Sequence, residues 1–102
     1  MTPFQPATAG TVLIDISASN QRVSFAKTNI QQVRVMNNGS ATVWVEFGDV
    51  TATASLTASY PVGPGVTEVV TPTWANNGAT LYAAAIAAGT TGKVYFTPGS
   101  GI

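Results

Sequence analysis

A chain of 102 residues with 45% apolar content is long enough for one domain around one core, but only 8% of its residues are charged and its formal net charge is zero. About a quarter charged is usual, so the surface has to be built from Thr, Ser, Asn, Gln, Gly and Ala, which suits life within an assembly better than life as a concentrated free monomer. The four basic and four acidic residues stand singly, which leaves phosphate-driven nucleic-acid binding without a basic stripe, and the absence of Cys and His removes disulfides, thiolate metal sites, thiol nucleophiles and the usual general base.

The N-terminal MTPFQPATAG carries no positive charge and no apolar run of secretory-signal length. The longest nearly apolar run, 81–88, is far short of the roughly 20 residues that span a bilayer. The expectation is a soluble product of a cytoplasm, with no membrane partner. Pro3 and Pro6 keep residues 1–10 extended, so they are expected to form an arm ahead of a single domain over 11–102. Phe4 in that arm either tucks back or docks on a neighbouring subunit.

From Thr11 to Ser17 the alternation places Val12, Ile14 and Ile16 on one face, a half-buried first strand. Ser19-Asn20-Gln21 reads as a turn, and 22–26 as a short strand facing inward through Val23 and Phe25. The strongest local signal is IQQVRVMNNGSATVWVEF, 30–47, two alternating runs around Asn-Gly-Ser. It predicts an antiparallel hairpin that pairs Val33 and Val35 with Val43, Val45 and Phe47. A two-residue Asn38-Gly39 turn would set Val35 against Thr42 and split the apolar sets, so a longer loop or bulge is expected, with Gly39 at positive φ and Arg34 near Trp44 and Glu46.

Beyond Phe47 the chain turns small and hydroxylated. Residues 50–54 read as a strand or a long loop, 56–62 as an edge strand marked by Pro61, and Gly63-Pro64-Gly65 as a turn. Residues 66–74 alternate as a strand, with Val69 and Val70 both expected to be covered. The segment 79–88 is alanine-rich and could be helix, but its flanking turn residues favour strand. Residues 93–97 close the domain. About eight short strands at roughly ten-residue intervals predict an all-β, two-sheet antiparallel sandwich of jelly-roll or Greek-key type.

Little chemistry fits such a chain. Hydroxyls lack a base, and the two lysines stand in turn-like contexts. Glu46 and Asp49 are close in sequence at a strand end, where a solvated edge is the expected reading and a weak calcium site the remaining alternative. No catalytic residue, cofactor or metal is expected. The aromatic residues leave core packing, protein contact and sugar stacking open for Trp44 and Trp74.

Four stretches carry a resemblance: VRVMNNGSATVWVEFG, with its NxGSxxxxVxFG pattern, YPVGPGVTEVV with its PVxPG turn, the alanine-rich LYAAAIAAGTTG, and the terminal KVYFTPGSGI with its YFTPGxG. From Ile30 onward the chain resembles small virion proteins of tailed bacteriophages, in particular jelly-roll or β-sandwich decoration (cement) proteins; residues 1–29 match only in strand character. The resemblance implies a structural protein on the outer capsid surface that contacts the major capsid protein and clamps capsomers, and symmetry suits a homo-oligomer, a dimer or trimer. Phe4, Trp44, Trp74 and Ile102 are the expected contact residues. The alternative implied is a tail or fibre module that recognises host-surface carbohydrate through Trp44 or Trp74.

Overall fold

In the computed structural model, which describes residues 5–6, 10–26, 30–72, 80–89 and 92–100, alternating apolar and polar residues form nine strands and no helix among the described residues. They are β1 (Gln5–Pro6), β2 (Val12–Ile16), β3 (Gln21–Ser24), β4 (Gln32–Gly39), β5 (Val43–Gly48), β6 (Tyr60–Val62), β7 (Thr67–Val70), β8 (Tyr82–Ile86) and β9 (Gly92–Ser100). One sheet has the order β2-β9-β4-β7, and β1 continues beyond β2 along the same edge of β9. The other has the order β3-β8-β5-β6. Every pairing is antiparallel. This is the order of a jelly roll, in which the chain crosses between sheets at almost every connection. From β2 onward, β5 and β6 are the one pair of consecutive strands hydrogen-bonded to each other among the described residues.

The core lies between the sheets. Ile14, Ile16, Val33, Val35, Val94 and Phe96 line one wall, and Val43, Val45, Val62, Ala83 and Ala85 the other, all buried. Phe96 stands at the centre, in T-shaped contact with Phe25 and Phe47 at centroid distances of 6.3 and 5.9 Å. That geometry sets the positive edge of one ring against the negative face of the other.

The expected hairpin does not form. β4 pairs with β9 and β7, whereas β5 pairs with β8 and β6. The Val33/Val35 and Val43/Val45/Phe47 sets do face each other, but across the sandwich rather than across a ladder. The parity conflict of a tight Asn-Gly turn therefore never arises. Arg34 accordingly sits opposite Thr97 and Val69, away from Trp44 and Glu46. Nor does Gly39 take a positive φ; among the described residues Gly65 and Gly92 do.

Asn37 holds this corner. Its side chain is fully buried, and Nδ2 donates to the carbonyls of Ala41 and Val62, each at 2.9 Å, while Oδ1 accepts the amide of Gly39 at 2.9 Å. Its backbone accepts from Gly65 at 2.9 Å and donates to Val66 at 3.0 Å. One residue thus ties β4 to β6 of the opposite sheet and to the connection before β7. That connection is the expected turn: the amide of Val66 donates to the carbonyl of Gly63 at 3.1 Å around Pro64 and Gly65, and Gly65 has φ 73°.

The ambiguous alanine segment is a strand, β8, and it explains itself through both faces. Ala83 and Ala85 face the core, while Ala84 faces outward and is covered by Ala52 and Ala54 of the 49–59 loop, with Tyr82 and Ile86 alongside. Only a methyl-sized side chain lets the loop lie this close. Arg22 fixes it through Nε to the Ala52 carbonyl at 2.6 Å, and Asn20 Oδ1 accepts the Ala54 amide at 2.8 Å. Residues 50–54 are therefore loop, and Leu56 precedes the edge strand β6 instead of belonging to it.

β9 runs through Pro98, beyond the expected end at Thr97, in a central strand where proline is normally excluded. Gly99 turns its carbonyl to the amide of Gln31 at 3.2 Å, on the β4 side. The nitrogen of Pro98 therefore faces the other edge, between the β9 residues that β1 and β2 pair with, so it removes no donor from the ladder with β4. Gln5 and Pro6 lie along β9 in that edge; the rest of the expected arm up to residue 9 falls outside the described residues.

Candidate functional site

Of the four expected contact residues, Phe4, Trp74 and Ile102 lie outside the described residues. Trp44 is on β5, half-buried, on the outward face of its sheet. In register it stands between Ile86 of β8 and Pro61 of β6.

A broader surface lies on the outer face of the β2-β9-β4-β7 sheet. Cross-strand partners point the same way, so Leu13, Tyr95, Met36 and Thr67 form one row and Thr97, Arg34 and Val69 the next. Leu13, Met36 and Val69 are 43, 37 and 46% exposed. An apolar row across three strands, Leu13, Tyr95 and Met36, with Val69 beside it in the next row, is unusual for a solvent face of a sandwich. The polarity of this row is legible in part: Leu13 and Met36 interrupt the polar positions of their strands, but nothing local shows that they meet across Tyr95. Val69 was expected to be covered and is open, because β7 is an edge strand with Thr71-Pro72 directly after it. At the margin Lys93 donates to the carboxylate of Asp15, and this bond raises the Lys93 pKa.

A second feature is a cleft of about 640 Å³ at the open edge between β6 and β7, where the two sheets diverge. Its walls include Glu46, Phe47, Ser59, Tyr60, Thr71 and Pro72. Tyr60, 44% exposed, bridges the sheets by donating its hydroxyl to the carboxylate of Glu68 on β7, and that bond raises the phenol's pKa. Ser59 Oγ donates to Glu46 Oε1 at 2.7 Å. Sequence patterning did not single out Tyr60, because its role comes from β6 and β7 being edges of different sheets.

The carboxylates considered for acid/base or calcium chemistry serve local structure. Asp49 accepts from both the hydroxyl and the amide of Thr51, at 2.6 and 2.8 Å, and these bonds hold its pKa below the ordinary carboxylate value. Glu46 is engaged by Ser59 on the other side of the strand end. Among the described residues no three His, Cys, Asp or Glu side chains converge on a point where a metal ion could sit.

No protein-family model matches the chain, and no curated protein matches it. Among solved structures it is similar to the crystal structure of PirA, with 15% identity, a TM-score of 0.54, and coverage of 86% of this chain and 90% of that one. The likeness spans nearly the whole of both chains, and it is a likeness of fold: the chain is an all-β, two-sheet antiparallel sandwich.

Proposed function

We propose that this chain is a structural protein of a tailed-phage particle, a decoration protein that binds the outer shell of the head and braces neighbouring capsomers. The observation that supports this reading is the outer face of the β2-β9-β4-β7 sheet, where Leu13, Tyr95, Met36 and Val69 form an apolar surface around one cation, Arg34. The resemblance of residues 30–102 to virion proteins points the same way. A rigid sandwich with little charge to desolvate suits such a contact, since unpaired charges are the costly part of burying a surface. The major capsid protein is the proposed partner, with self-association at symmetry axes of the lattice. Bracing acts by linkage: a protein that binds the assembled shell and not its separated subunits stabilises the shell by its differential affinity. No catalytic step is assigned to the chain.

The test is the copy number of the chain in purified particles of the phage that encodes it, measured by quantitative mass spectrometry against the major capsid protein. Hundreds of copies in simple ratio to the capsid subunit are expected. A handful would move the protein to the tail or fibre, and absence would end the virion reading. Met36→Glu and Val69→Glu should abolish binding to undecorated heads while leaving the thermal midpoint nearly unchanged, because both side chains are on the solvent face.

A further inference from the structure

We propose that Arg34 is the receptor for a carboxylate of the protein that covers the outer face of the β2-β9-β4-β7 sheet. The partner brings an Asp or Glu side chain, set in an apolar surround, and seats it on the guanidinium. The inference rests on the shell-binding reading of that face and adds to it the chemistry of what docks there.

The pairing of charges across the molecule carries it. Each side-chain carboxylate is engaged within the chain: Asp15 by Lys93, Glu46 by Ser59, Asp49 by Thr51 and Glu68 by Tyr60. Lys27 lies outside the described residues. Of the other cations, Lys93 is held by Asp15, and Arg22 donates Nε to the carbonyl of Ala52 at 2.6 Å. Arg34 makes no hydrogen bond and no ion pair among the described residues. Its place in the fold explains why. Directly across the strands it has Thr97 and Val69, and along β4 it is flanked on the same face by Gln32 and Met36. The hydroxyl of Thr97 is bonded to that of Thr11 at 2.9 Å. The one carboxylate on this face among the described residues, Asp15, stands two rows away, about 14 Å along the strands at a rise of about 3.4 Å per residue.

A partner that covers Leu13, Tyr95 and Met36 covers Arg34 too, because Arg34 is in the adjoining row. Taking a guanidinium out of water without a counter-charge is costly, so the surface that seats here has to supply one. A carboxylate matches the planar fork with two parallel bonds, and the apolar side chains around the pair exclude water and strengthen it. Arg and Tyr are also the residue types that dominate binding when they stand at the centre of a contact. Phosphate-bearing partners fit less well, since they are held by several cations at once and the other cation on this face, Lys93, is neutralised by Asp15. A second copy of the chain fits less well for the same kind of reason: its own side-chain carboxylates are already engaged. The complement is therefore an acidic side chain of a different protein, on this reading the major capsid protein.

The experiment measures binding of the full chain to undecorated heads for the parent, Arg34→Ala, Arg34→Glu, Arg34→Lys and Met36→Glu. Arg34→Ala should weaken binding at least tenfold and Arg34→Glu at least a hundredfold, while Arg34→Lys, which keeps the charge and loses the fork, should lose less than Arg34→Ala. Thermal midpoints should stay near that of the parent, because the Arg34 side chain is exposed and bonds to nothing in the chain among the described residues. Arg34→Lys also permits a direct readout. A water-soluble carbodiimide couples an amine to a touching carboxylate as an amide and takes up the lost water as its urea. With Arg34→Lys bound to heads at saturating concentration, peptide mapping should find position 34 joined to an Asp or Glu of the major capsid protein. A link to a carboxylate of a second copy, no link at position 34, or Arg34→Ala and Arg34→Glu binding like the parent while Met36→Glu does not bind would each overturn the inference and leave the shell reading standing. A parent chain that fails to bind heads would overturn the shell reading and this inference with it.

Discussion

The hydroxyl of Tyr60 on β6 is donated to the carboxylate of Glu68 on β7, and these strands are the edges of different sheets. The bond closes the sandwich where no ladder can. Its carboxylate acceptor raises the phenol's pKa. A pKa raised in the folded state means that the contribution is whole below the ordinary tyrosine value, about 10, and is lost as pH climbs through the higher folded value. Lys93, raised by its bond to Asp15, loses its contribution in the same direction. Asp49, lowered by Thr51, acts at the other end: its contribution is whole above about pH 4 and lost as pH falls through the lowered value. With no His or Cys in the chain, stability should be flat from about pH 5 to about pH 9 and fall on both sides. Urea midpoints across pH measure this, and Tyr60→Phe should flatten the alkaline limb. A wild-type midpoint unchanged up to pH 11 would refute the assignment.

Asn37 satisfies two carbonyls and one amide in a fully buried corner. Asn37→Leu removes all three partners at once and should cost about 2–4 kcal/mol, since each stranded buried polar group costs about 1–3 kcal/mol and the corner can relax in part. Asn37→Asp is the sharper experiment. A carboxylate would face the carbonyls of Ala41 and Val62, so the variant should be markedly less stable at pH 7 than near pH 4, where protonation restores a donor. Equal losses at both pH values would mean that the corner rearranges.

Gly92 is paired with Gly39 at the end of the β4–β9 ladder, with φ 125°. A Cβ at this position would lie 2.9 Å from the Asn38 carbonyl oxygen and 3.0 Å from the Gly39 Cα, both backbone atoms that cannot swing aside. Gly92→Ala combines that clash with a φ disfavoured for L-residues and should lose about 2–3 kcal/mol or more. Gly89, with open space around its Cβ direction and no positive φ, is the control: Gly89→Ala should stay within about 1 kcal/mol of the parent.

The 49–59 loop rests on Ala84 with nothing larger than a methyl group between them. Ala84→Leu should lift the loop, break the Arg22 to Ala52 bond and cost about 1–3 kcal/mol. Limited proteolysis reads the effect directly, because the parent loop should resist cleavage and the variant loop should be cut between residues 50 and 58. Resistance in the variant would mean that the sheet, rather than the loop, gives way.

Strand positions were legible because period-two alternation reports burial locally: Ile14, Ile16, Val33, Val35, Val43, Val45, Val94 and Phe96 all face the core as their spacing predicts. Partners were not. Two alternating runs around Asn-Gly-Ser read the same whether they pair or face each other across a sandwich, and the choice was made by β9, about sixty residues away, which takes an edge of β4 that a hairpin would use. The strand through Pro98 was hidden for a related reason, since the edge that the Pro98 nitrogen faces is set by the pairing of β9 with β4 and not by its own neighbours in the chain. The exposed patch of Leu13, Met36 and Val69 and the Tyr60 cleft join residues from different strands or sheets, so neither leaves a mark in any single segment of the sequence.

The amide of Gly39 is bound to Asn37 Oδ1 at 2.9 Å, and its strand is laddered to β9. In a free chain the nitrogen of a glycine that follows asparagine attacks the side-chain carbonyl, expels ammonia and closes a succinimide, which opens to aspartate and isoaspartate. Asn38-Gly39 is a dipeptide primed for that reaction, and the fold withholds its nucleophile. Folding therefore slows a chemical clock, and the fraction of chains with isoaspartate at position 38 in a peptide map should rise with the time the sample has spent unfolded.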